Sequence, residues 1–103
     1  MKLTPEQKKY LKGLAHSIQP TVMIGKEGVT SLLLKEVSRT LTSHELIKIK
    51  FIQSKSDKST ISQDIANEFK AHVVSVVGNM AIIYKQPKKT EDRKIKLPNP
   101  HRS

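Results

Sequence analysis

The period of the apolar positions changes several times along the chain, and each change marks an element. Thr4-Pro5-Glu6-Gln7 reads as a helix start, with Thr at the N-cap, Pro in the first helical position and Gln placed to complete a capping box. The helix runs to about Ala15, with Tyr10, Leu11 and Leu14 on one side and Lys8, Lys9 and Lys12 on others. Pro20 then enforces extension, and Thr21-Val22-Met23-Ile24 predicts a short buried strand. Val29, Leu33, Val37 and Leu41 recur every fourth residue, which predicts a second helix with Lys35 and Arg39 outward. From Glu45 to Ile52 the period drops to two: Ile47, Ile49 and Phe51 point one way, Lys48 and Lys50 the other. Ser54 to Thr60 is polar and loop-like, and a third helix follows with Ile61, Ile65, Ala66 and Phe69 inward. Val73–Val77 and Met80–Tyr84 flank Gly78-Asn79, a two-residue hairpin signal.

The order is therefore α-β-α-β-α-β-β. Two successive β-α-β units favour parallel neighbours with right-handed crossovers, and the final hairpin adds an antiparallel strand. The expected fold is a two-layer α/β domain, a four-stranded mixed sheet with helices packed against it. Residues 1–86 are expected to form that domain. From Pro87 the composition turns polar, charged and Pro-containing, so residues 87–103 read as a basic C-terminal tail in which Ile95 and Leu97 could dock.

Charge changes this picture from a fold to a partner. The chain of 103 residues holds 19 Lys+Arg against 9 Asp+Glu, a net charge of +10. Residues 1–85 alone carry 13 basic and 7 acidic groups, so the basicity is not confined to the tail. Such a surface attracts polyanions. Membrane is the weakest candidate, because the basic residues are scattered over several elements and form no basic amphipathic helix. No apolar run approaches the ~20 residues of a membrane span, and Met1-Lys2-Leu3 opens no signal peptide, so a cytoplasmic protein is expected. The absence of cysteine excludes disulfides, thiolate zinc sites and thiol catalysis.

The candidate chemistry centres on Gly25-Lys26-Glu27-Gly28, a GxxG loop between the first strand and the second helix. Glycines at its ends let backbone approach a partner closely, and the helix after it offers unpaired N–H groups suited to phosphate. Turning the chain is the plainer role for such a loop, and its setting in a basic chain favours a contact with nucleic-acid backbone.

Leu11-Lys12-Gly13-Leu14-Ala15-His16, the GKEG loop, His44-Glu45-Leu46-Ile47-Lys48-Ile49-Lys50, the hairpin through Val77-Gly78-Asn79 and the closing Arg93-Lys94-Ile95-Lys96-Leu97-Pro98 follow one another in an order that resembles the YhbY-like proteins. These are bacterial stand-alone versions of the CRM domain, named for chloroplast RNA splicing and ribosome maturation. The resemblance covers residues 1 to about 98. It implies a fold like the C-terminal domain of bacterial translation initiation factor three, a GxxG loop analogous to that of KH domains, and association with the precursor of the large ribosomal subunit.

On that resemblance, Gly25, Lys26, Glu27 and Gly28 form the loop placed against the RNA backbone, with Lys26 as its charged contact. Lys48 and Lys50 share a strand face ~7 Å apart, and Lys12 and His16 share a helix face if the helix reaches that far. Arg93 and Lys94 belong to a basic arm adding non-specific affinity. Against each stands a plainer reading: a solvated lysine, a helix-end histidine, a soluble tail. Phe51 and Phe69 fall on core faces, and no aromatic platform for base stacking is evident. His16, His44, His72 and His101 have no partners at metal-ligand spacing. His44 and Glu45, adjacent in a strand, point apart. HExxH, GxSxG and Walker A patterns are absent. The expectation is a monomeric RNA-binding protein without catalytic residues, metal, cofactor or small-molecule substrate. A structural ribosomal or translation-associated protein is the alternative and a ribonuclease the remote one.

Overall fold

In the computed structural model, which describes residues 2–53 and 57–98, the first helix begins where its capping box puts it. Thr4 Oγ1 accepts from Gln7 N at 3.1 Å, and Gln7 Oε1 accepts from Thr4 N at 3.0 Å. Helix α1 spans Pro5–Ala15, strand β1 Val22–Ile24, α2 Ser31–His44, β2 Leu46–Phe51, α3 Lys58–Glu68, β3 His72–Val77 and β4 Met80–Tyr84; a 3-10 turn covers Thr90–Asp92. Besides β2, which is shorter by one residue at each end than the expected Glu45–Ile52, two helix starts differ from the periodicity. Val29 lies before α2 and is 43% exposed, because Thr30 caps the helix and the inward stripe starts at Leu33. Helix α3 begins earlier than its apolar stripe, since Asp57 accepts from Thr60 N at 3.2 Å and sets the start. Of the loop-like stretch, residues 54–56 lie outside the described residues, as do Asn99–Ser103 with His101.

The sheet order is β1-β2-β4-β3. β1 pairs parallel with β2, as expected. The second β-α-β unit does not make parallel neighbours: β4 inserts between β2 and β3, antiparallel to both. Burial explains the insertion. Ala81, Ile82, Ile83 and Tyr84 are buried on both sides of β4, so that strand belongs in the middle, whereas β3 ends on the exposed Val77 and suits an edge. The hairpin is tight enough to allow it, with Gly78 at φ +58° and Val77 opposite Met80.

Alternation then gives the sheet two apolar faces. Ile47, Ile49, Phe51, Ala81 and Ile83 meet α2 and α3 through Val37, Leu41, Ile65 and Ala66. Leu46, Val74, Ile82 and Tyr84 meet α1 through Leu11 and Ala15, with Leu3, Ile95 and Leu97 completing the cluster. The four-stranded mixed sheet is as read from the sequence, but helices lie on both of its faces, one layer more than the two expected. The added layer follows from Leu46, Ile82 and Tyr84, whose side chains oppose those of the main core and need their own cover.

A single acid ties the C-terminal stretch to this second face. Glu45 caps α2 with φ +64° and is buried. Its carbonyl accepts from Lys85 N at 2.8 Å, and its Oε2 accepts from Lys94 N at 2.6 Å. Lys94 Nζ donates to Ser43 O at 3.1 Å, and Gln7 Nε2 donates to Pro98 O at 3.1 Å. Burial, and then the Glu45 carboxyl beside it, push the Tyr84 phenol above its usual range.

Glu45→Ala should therefore lower stability by about 1–3 kcal/mol, the worth of a hydrogen bond to a carboxyl, and expose the Lys94–Leu97 amides. Denaturant unfolding and amide exchange check this. Unchanged protection of those amides would mean that Glu45 does not hold the segment.

Candidate nucleic-acid interface

β1 ends at Ile24 and the chain reverses at once: Gly28 N donates to Gly25 O at 3.0 Å, closing a four-residue turn. Gly28 has φ +71°, a conformation that a side chain strains. A Cβ at Gly25 would meet only the Ile52 side chain, at 3.9 Å, so its glycine is not required by internal crowding; bare backbone there faces outward. Lys26 and Glu27 stand exposed at the tip.

The helix behind the turn is less open than its sequence suggests. Val29 and Thr30 separate Gly28 from α2, and Thr30 Oγ1 accepts from Leu33 N at 3.1 Å, so one first-turn amide is already bonded. The first turn of α2 carries no acid to offset its partial positive charge. The turn, the β1 edge at Thr21 and Met23, and α2 at Leu32 and Glu36 enclose a groove of about 700 Å³. Leu32 is 78% exposed on its wall, off the stripe of Leu33, Val37 and Leu41, which is why core periodicity gave no sign of it.

Lys48 and Lys50 share a strand face, as the alternation requires, with Lys48 half-buried and Lys50 exposed. They lie on the face that carries α1, since Ile47, Ile49 and Phe51 point to the other. Lys12 and His16 are exposed on α1 and at its C-cap. At ~100° per residue they flank the side of α1 opposite Tyr10 and Leu14. The latter flank borders Pro98, Ile95 and His44, at the Leu46 end of β2.

Arg93 and Lys94 are not brought to this surface. Arg93 Nε donates to Pro87 O at 2.8 Å and its Nη2 to Lys88 O at 3.2 Å, while Lys94 is bonded to Ser43 and Glu45. Both sit toward the Leu46 end of β2, ~13 Å along the strand from Lys50. Glu45 itself, read from sequence as the first residue of a strand and a strand neighbour of His44, instead caps α2 after His44 and serves the fold. Its sequence signal was one acid just ahead of an apolar strand. Among the described residues no group of three or more His, Cys, Asp or Glu could hold a metal, and no helix is long and apolar enough to cross a membrane. His16 and His44 stand exposed at helix ends. His72 opens β3, and burial, followed by nearby positive charge including that of Lys8, holds it below its ordinary value.

A basic α/β domain with a glycine-bounded turn at the end of a four-stranded mixed sheet is the class these features define. Residues 3–85 match the CRS1 / YhbY (CRM) domain, and the chain belongs to that family. It is 39% identical over 97 residues to an RNA-binding protein of Haemophilus influenzae, covering 93% of this chain and 95% of that one. It is 32% identical over 97 residues to the probable RNA-binding protein YqeI of Bacillus subtilis, covering 93% and 99%. The solution structure of the hypothetical protein SAV1595 from Staphylococcus aureus superposes with a TM-score of 0.80 at 36% identity, covering 94% of this chain and 100% of that one.

Two outcomes follow from this geometry. Gly28→Ala should cost about 1–2 kcal/mol through its left-handed backbone, whereas Gly13→Ala, in open space within α1, should stabilise by up to about 1 kcal/mol. Paired thermal melts decide it, and equal effects at the two sites would remove the strain argument. Because the folded His72 binds its proton less readily than the unfolded 6.5, its contribution is full above that pH and lost as pH falls below it. Unfolding midpoints at about pH 7 and 5 should therefore differ less in His72→Gln than in the parent.

Proposed function

We propose that this chain is a non-enzymatic RNA-binding protein that acts, as a monomer in the cytoplasm, on the RNA of the precursor large ribosomal subunit. One juxtaposition carries the reading: the Gly25–Gly28 turn, with Lys26 at its tip, stands at the end of the sheet face that bears Lys48 and Lys50. The turn receives sugar-phosphate backbone, with Gly25 and Gly28 giving close approach and Glu27 at the tip limiting how much charge it presents. Lys12, Lys26, Lys48 and Lys50 neutralise phosphates, and His16 extends the α1 flank. The relatives named as RNA-binding proteins support the partner. Residues 1–86 are the binding domain. In residues 87–103, Arg93 and Lys94 brace the fold, so their share in RNA contact is secondary.

With about five phosphates contacted, log K for RNA should fall against log salt with a slope of roughly −3.5 to −4.5. Lys26→Ala should weaken binding across sequences and leave the melting temperature nearly unchanged. A slope near zero, or full affinity in that variant, would reduce the turn to a structural one. The ribosomal assignment is tested separately, by sedimenting native protein on a low-salt ribosome gradient. Enrichment with large-subunit precursors and release by high salt is the expected pattern. Presence throughout polysomes would point to a structural or translation-associated protein instead.

A further inference from the structure

Helix α1 covers only part of the sheet face on which it lies. It packs over Leu46, Val74, Ile82 and Tyr84, and beyond them lies a row that is exposed except for the half-buried Met80. Met23 of β1 is paired with Lys50 of β2, Lys50 with Met80 of β4, and Met80 with Val77 of β3. Met23 is 58% and Val77 57% exposed, and Ile52, one alternation beyond Lys50 on the same side, is 59% exposed. At ~4.8 Å between strands the row is ~14 Å long, enough to seat more than one planar ring. Ile52 also joins it to the turn, because its side chain is the one that a Cβ at Gly25 would meet.

The chemistry of the row selects its occupant. Three large apolar side chains are left in water at one end of a sheet whose other end is covered, and a lysine stands in the middle of them. Lys48 lies in the next row, and none of Met23, Lys48, Lys50, Ile52, Val77 and Met80 is acidic. An apolar protein surface docked here would have to bury the Lys50 ammonium unpaired. A nucleotide meets both halves of the row, with its base on thioether and aliphatic carbons and its phosphate on the ammonium. Paired RNA hides its base faces in the helical stack, so only unpaired nucleotides can use such a surface.

We infer that the row Met23–Lys50–Met80–Val77, with Ile52, seats unpaired nucleobases of the RNA whose backbone the Gly25–Gly28 turn receives. This rests on the RNA-binding reading above and adds a preference for single-stranded or looped segments. It also adds base contacts to the backbone contact expected of the turn, with aliphatic and thioether groups in place of the missing aromatic platform.

The test compares a single-stranded RNA oligomer carrying 2-aminopurine with a fully paired RNA hairpin of equal phosphate number. Met23→Thr/Val77→Thr changes two exposed strand positions to a residue that strands accept. The double variant should bind the single strand roughly three- to tenfold more weakly, lose the change in 2-aminopurine fluorescence on binding, and keep the parent's salt slope and hairpin affinity. Lys50→Gln should instead lower the slope for the single strand by about 0.7. Unchanged single-strand affinity in the double variant, or an equal loss for the hairpin, overturns the inference and leaves the RNA-binding reading standing; the row would then fit a protein partner. Failure of the parent protein to bind either RNA at low salt overturns that reading, and the inference with it.

Discussion

The burial of β4 on both of its sides is the constraint from which the rest follows. Ala81 and Ile83 must meet α2 and α3, while Ile82 and Tyr84 must meet α1. A strand with two dry faces cannot lie at an edge, so β4 displaces β3 outward and breaks what would otherwise be a run of parallel neighbours. The same demand brings α1 onto the second face. Because α1 is only 11 residues long and crosses near the Leu46 end, it leaves the far end of that face uncovered. The cationic and apolar side chains on that bare end are thus a by-product of where the core needed cover.

Most of this was legible in local signals. The capping box at Thr4 and Gln7, the alternation through Ile47, Ile49 and Phe51, and the Gly78-Asn79 hairpin each specify geometry within a few residues of themselves. Strand order was not legible, because it depends on which strand is apolar on both sides relative to the others. The run Met80–Tyr84 does read as continuously apolar, but a short run of that kind also suits other placements. The layer count failed for a related reason: Leu46 and Tyr84 have the local pattern of strand residues, and what covers their side of the sheet depends on where the distant α1 packs.

The candidate site was legible in kind and less so in detail. Gly25–Gly28 form a turn, and Lys48 and Lys50 share a face, both consequences of short-range geometry. The Thr30 cap on Leu33 N and the engagement of Arg93 and Lys94 with backbone carbonyls and Glu45 were hidden, since each depends on a hydroxyl, guanidinium or carboxyl choosing among partners. Exposed Met23, Ile52 and Val77 were hidden too. Apolar residues in strands are taken as core until the position of the covering helix is known.

The contact between Gln7 and Pro98 O brings positions 91 residues apart in sequence to one corner of the molecule. That corner lies toward the Leu46 end, across the sheet from the glycine turn. Gln7 and Pro98 of the described residues therefore meet like the two halves of a clasp. A domain closed in this way can be spliced into a longer polypeptide, strung in series or re-opened at a new cut point, and its glycine turn would face outward each time.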